Sequence, residues 1–145
     1  PIREDKRIKL PFSLDIQPET TPILLVKAGY NLKRLFRENL QIKVLIYTSI
    51  IRQILTIYLS DDSYRSCPKK EEFLSKVMLN AGYSGEIPSY LKDDGNVNDD
   101  AIDWIENLTA ECLNTPIIKA GKRIRYLEEF KKYCLSDQDR TEDEN

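Results

Sequence analysis

Between Arg7 and Ile16 apolar and polar positions alternate: Ile8, Leu10, Phe12, Leu14 and Ile16 are separated by Lys9, Pro11, Ser13 and Asp15. Successive side chains of a strand point to opposite faces, so this spacing predicts one β-strand with a single apolar face. Pro11 has no amide hydrogen for a ladder, which places the strand at a sheet edge or a bulge. Ile23 to Val26 follows the turn between Pro18 and Pro22 and is its obvious partner. An N-terminal strand or small hairpin over about 7–26 is therefore expected.

The period then changes. Leu32, Leu35, Phe36, Leu40 and Val44 recur as on one helix face, with Asn31 ahead of them as an N-cap. From Ile42 to Leu59 the chain stays apolar almost all round, and Ser49, Arg52, Gln53 and Thr56 share one narrow stripe. The pattern predicts a central, mostly buried helix over about 31–60. Lys43 and Arg52 interrupt it on different sides, which is costly in hydrocarbon, so no membrane is expected as a partner. A guanidinium in so apolar a helix must reach water or an acid, and a structural ion pair is the expected fate of Arg52.

Three further helices are predicted. Pro68 at a first helical position, with Glu71 and Glu72 behind it, opens one that turns Phe73, Leu74, Val77 and Met78 inward and stops at Gly82 and Gly85. After the polar stretch 86–100, Asn98 caps a helix from Asp99 to about Asn114. Its buried face is Ala101, Ile105, Leu108 and Cys112, broadened by Ile102 and Trp104. Thr115 and Pro116 start the last, in which Ile117, Ala120, Ile124 and Leu127 lead towards Cys134, with Gly121 interrupting the run. The fold class is α+β, mainly α, with four to five helices around the central apolar one. Residues 1–135 form one domain, and 136–145, with five acids in ten residues and no apolar anchor, reads as a disordered tail. A chain that opens on Pro1 without an initiating Met is expected to be a fragment of a larger protein.

Composition changes this picture only at the margins. The net charge of −2 hides an asymmetry, with ten basic and five acidic side chains before residue 61 against twelve and nineteen after it. Cys67, Cys112 and Cys134 form an odd set without a CxxC pair, which points to an intracellular, cytoplasmic setting rather than a disulfide framework. Histidine is absent, removing the commonest general base and metal ligand. The loop around Asp94 resembles a calcium loop in composition, yet Asp99 stands where such a loop needs Gly and Ile105 where it needs Glu. No catalytic, cofactor-binding or metal-binding residue is assigned, and no cofactor is expected.

Two constellations remain. The edge strand offers Ile8, Leu10, Phe12, Leu14 and Ile16 as an interaction surface, since an unpaired edge is normally blunted, covered or paired. Lys119, Lys122, Arg123 and Arg125 place four positive charges beside Tyr126 on a basic helix over 119–125, a phosphate-gripping arrangement if Glu128 and Glu129 do not neutralise it. The leading expectation is a non-catalytic protein-interaction or oligomerisation domain, its partner a second copy or the remainder of the parent chain. The alternatives are an accessory nucleic-acid-binding domain using the basic helix, with help from Lys33, Arg34 and Arg37, and an incomplete enzyme fragment.

Overall fold

The computed structural model describes residues 2–17, 22–83 and 85–143, with the side chains of Phe73, Asn80 and 136–143 outside the description. Chain order is β1 (Ile2–Asp5), β2 (Phe12–Asp15), β3 (Ile23–Lys27), α1 (Leu32–Glu38), α2 (Leu40–Ser60), α3 (Asp62–Arg65) and α4 (Pro68–Asn80). Then come α5 (Asp99–Asn114), the strands β4 (Ile117–Lys119) and β5 (Lys122–Ile124), and α6 (Tyr126–Asp143). The α+β class with a long central apolar helix is what the hydrophobic periods predict.

The N-terminal sheet has the order β1-β3-β2. β2 pairs antiparallel with β3, setting Phe12 opposite Val26 and Leu14 opposite Leu24. The expected partner is thus the observed one. β1 lies parallel on the other side of β3, with Ile2 opposite Leu24. Leu24 and Val26 are buried on the face that meets the helices.

The expected strand over 7–16 shortens to β2, for reasons visible in the turn before it. The Asp5 carboxylate accepts a hydrogen bond from the Arg7 backbone N–H at 2.8 Å and pairs with the Arg7 guanidinium. Lys27 Nζ donates to the carbonyls of Lys6 and Ile8, both at 2.7 Å. These bonds commit residues 6–8 to a turn, an alternative to the ladder that Asx-type side chains commonly supply. Of the five residues assigned to the interaction edge, only Phe12 and Leu14 are in the strand. Ile8 and Leu10 belong to the turn, and Ile16 follows the strand and packs on the helical core.

The helix expected over 31–60 is divided at Asn39. That residue is extended, its backbone N–H donates to Leu35 O to close α1, and its side chain accepts from Ile42 N at 3.0 Å to open α2. Asn suits such a corner because its short amide replaces a missing backbone partner. Asn31, the expected cap, stands at the N-cap position of α1 in a left-handed conformation with φ 53° and makes no capping bond.

α2 is the spine of two cores. Its first half sends Ile46, Tyr47 and Ile50 against Leu24, Val26 and Phe36. Its second half contributes Leu55, Tyr58 and Leu59 to a larger cluster closed by Tyr64, Leu74, Ala101, Trp104 and Leu108. By length and composition α2 is also long and apolar enough to cross a membrane. Arg52 reaches Glu106 on α5, the ion pair expected of it. Asn98 caps α5 by accepting from Asp100 N at 3.1 Å, and Pro68 stands in the first turn of α4, both as read from the sequence.

The largest departure is at 117–125. A helix is expected there, and β4 and β5 form a hairpin instead, with Ile117 opposite Ile124 and Lys119 opposite Lys122. Ala120 and Gly121 both have positive φ, 53° and 76°, the two-residue turn whose twist matches antiparallel strands. Three isoleucines in eight residues add β-branched preference. The tail expected over 136–145 falls on the last helical residues, whose side chains are outside the description, and on 144–145, which lie wholly outside the described residues.

Candidate interaction face at the sheet edge

The edge strand and the α1–α2 corner together build an open apolar groove. Phe12 and Val26 project from adjacent strands onto the helix side of the sheet, and Pro11 ends the preceding turn beside them. Across the gap, Leu32 and Leu35 come from α1, and Ile42, Leu45 and Ile46 from the first turns of α2. The gap they enclose is about 260 Å3, and no charged side chain among the described residues lines it. A second hollow of about 360 Å3 continues from it, sharing Pro11 and Leu32 and reaching Lys9, Leu10 and Tyr30.

Apolar side chains also project from the rim. Leu10 and Tyr30 are 67% and 68% exposed, and Leu45 is 59% exposed although it stands in the most apolar helix of the chain. Single exposed hydrophobes are ordinary, but several around one groove make a contiguous patch. β2 is also an edge strand, with β3 on one side and, among the described residues, no strand on the other. Pro11, whose carbonyl accepts from Lys27 N at 2.9 Å, turns its missing donor towards β3 and leaves the outer side of β2 unblunted.

The basic segment is rearranged by the hairpin. A helix would set Lys119, Lys122 and Arg123 at i, i+3 and i+4 on one face. In the hairpin Lys119 and Lys122 face each other across the strands, whereas Arg123 opposes Ile118 and points to the reverse side. Arg125 meets Glu128 at 4.0 Å, and Tyr126 packs on Tyr47 with ring centroids 5.9 Å apart. The four expected nucleic-acid contacts therefore do not share one surface.

Lys119 instead approaches Lys43 of α2, whose ammonium lies 5.9 Å from the ring centres of both Phe36 and Tyr126. Partial burial, and then the charge of Lys119, hold the Lys43 ammonium below the ordinary lysine range. Sequence reasoning missed this meeting, because Lys43 lies 76 positions earlier and only the hairpin turns Lys119 towards it.

Cys112 packs against the helical core, where burial pushes its thiol up to about 11, so it is protonated at neutral pH. Lys70, buried at the start of α4, lies 5.3 Å from the centre of the Tyr64 ring, and burial lowers its pKa. Among the described residues no three Cys, Asp or Glu side chains gather as a metal site would require. In the loop 93–98, Asp94 accepts from Asn96 N at 2.9 Å, and Asn98 caps α5 as expected.

Comparison with protein-family models, with curated proteins and with solved structures finds no match to this chain.

Proposed function

We propose that this domain is a non-catalytic interaction module that associates with a second copy of itself through the β2 edge and the groove beside it. The observation that carries the reading is the uncharged groove between Phe12 on the strand and Leu45 on α2, opening next to an edge that no strand covers among the described residues. Such a face matches two known modes of recognition at once: strand addition at the edge and apolar anchoring in a neighbouring pocket.

A second copy is the occupant favoured by the shape of the patch. It carries a hollow together with the projecting side chains Leu10, Tyr30 and Leu45, so identical patches related by a two-fold axis supply knob and hole to each other. No described charged side chain lines the groove itself, and Lys9 and Lys27 stand only in the hollow that continues from it. The nucleic-acid reading is supported only by Lys119 and Lys122, which share one face of the hairpin.

Size-exclusion chromatography with light scattering over a range of concentrations tests the proposal. The expected result is a dimer that dissociates on dilution. Leu45→Glu places a charge in an already exposed position of the patch and should shift the mass to that of a monomer while leaving the helical circular dichroism unchanged. Ser13→Pro, which removes a donor on the side of β2 that pairs with β3 and so loosens the edge strand itself, should weaken association less severely. A monomer at every concentration, or a dimer indifferent to Leu45→Glu, overturns the proposal.

A further inference from the structure

At the other end of the same sheet face lies a larger cavity, of about 590 Å3, separate from the groove in its strand residues. Ile2, Leu14, Leu24, Phe36 and Ile50 supply its apolar walls. Two cations stand among them: Lys33 and Arg37, one helical turn apart on α1. Among the described residues neither is paired with a carboxylate, Glu38 being taken by Arg34. α1 has no acid in its first turn either, so a lysine there works against the helix dipole without local compensation.

The positive character extends past the cavity. Lys43 donates to the Arg37 carbonyl at 3.4 Å and rests over Phe36, one of the cavity walls, with Lys119 beside it. Lys43 and Lys119 likewise have no carboxylate partner among the described residues. Two cations thus line the apolar hollow and two more stand beyond its Phe36 wall, in a chain whose net charge is −2. Pockets of some 300–1,000 Å3 with apolar walls and a few convergent polar groups are the usual form of a small-molecule site.

We infer that this cavity binds a single-chain anionic amphiphile, with the alkyl chain against Leu14, Leu24 and Ile50 and the phosphate or carboxylate head held by Lys33 and Arg37. Both halves of the chemistry are needed. A purely apolar ligand would leave the two cations uncompensated, and a bare anion would leave the walls wet. Arg37 can meet an oxyanion through a planar fork of donors, and Lys33 adds a point charge on the same helix face.

Titration calorimetry with dodecyl phosphate below its micellar concentration tests the inference. Dodecyl phosphate is expected to bind at least about tenfold more tightly than inorganic phosphate or dodecyltrimethylammonium. The Lys33→Glu/Arg37→Glu variant should weaken it by about tenfold or more, and Lys122→Glu/Arg123→Glu by less than about twofold. Ile50→Trp, which fills the cavity, should abolish binding; if that variant misfolds by circular dichroism, the charge-reversal pair decides. Equal affinity for inorganic phosphate reduces the site to a charged patch, and equal affinity for the cationic amphiphile reduces it to an apolar one. Association only with vesicles containing phosphatidic acid would mark a membrane surface as the ligand, and binding of a single-stranded oligonucleotide without dodecyl phosphate would mark a nucleic acid. Each of these four results overturns the inference.

Discussion

The two ends of α2 are packed by different means. Around its C-terminal half, α3, α4 and α5 close on it, and Leu55, Ala101 and Leu108 have almost no surface left in water. Tyr83 adds an edge-to-face contact with Trp104, their centroids 6.3 Å apart. Around its N-terminal half the cover is α1, Tyr126 of α6 and, on one flank, a sheet of four- and five-residue strands, and the buried set there is Leu24, Val26, Phe36 and Val44. Helices can wrap a helix, whereas a short sheet laid on one flank leaves a rim. That rim is where the groove, the cavity and the exposed Leu35 and Leu45 are found. One apolar helix thus serves as core at one end and as binding surface at the other.

The difference should be largest in truncations. Leu108→Ala is expected to cost about 3–5 kcal/mol, since its site is enclosed and collapses little. Leu24→Ala, beside an open cavity, should cost about 2–3 kcal/mol. Urea denaturation of both variants checks the order, and equal losses would show that the sheet end is as firmly closed as the helical one. Amide exchange gives the same contrast without mutation: slowest at Leu55 and Leu108, faster in β2.

A smaller effect is expected at the corner between α1 and α2. Asn39→Ala removes the side chain that accepts from Ile42 N and should cost about 1 kcal/mol, the usual loss at an N-cap. The loss should fall on the sheet end, because Asn39 fixes the angle at which α1 leaves α2. Faster exchange confined to β3 and α1 is the expected signature, and a loss spread evenly over α5 as well would remove the distinction between the two ends.

How much of this was legible follows from the range of the interactions involved. The β2–β3 pairing, the start of α4 and the cap of α5 rest on neighbours within a few residues, and they were read from spacing and capping chemistry alone. The hairpin at 117–125 was not, because Ile117, Ala120 and Ile124 satisfy a helical period while the turn is set by left-handed backbone at Ala120 and Gly121. Alternation over Arg7–Ile16 overran the real strand because Asp5 and Lys27, outside the window, capture the turn. For the sites, alternation marks Phe12 and Leu14 as surface-forming residues, but helical periodicity assigns their helix-side partners Leu32, Leu45 and Ile50 to the core. Periodicity reports which face of a helix is apolar; it does not report whether enough sheet exists to cover it.

The smallest expected effect concerns Arg52, at the point where α2 passes from one environment to the other. Its guanidinium pairs with Glu106 on α5, and both side chains are about half exposed, at 50% and 51%. Solvent screens such a pair, and ordering two long side chains offsets part of the attraction, so exposed ion pairs couple by about 0–1 kcal/mol. A double-mutant cycle on Arg52→Ala and Glu106→Ala should return a coupling in that range, falling further at high salt. The measurement bears on why the helical end is the firmer one. A coupling above about 2 kcal/mol would behave as a desolvated pair, and the greater stability of that end would then owe as much to charge as to enclosure. A coupling of a few tenths of a kcal/mol, within the range for exposed pairs, leaves burial of Leu55, Leu108 and Trp104 as the cause. It also leaves Arg52 with the role its sequence context dictates, bringing an otherwise stranded charge out of an apolar helix to water and an acid.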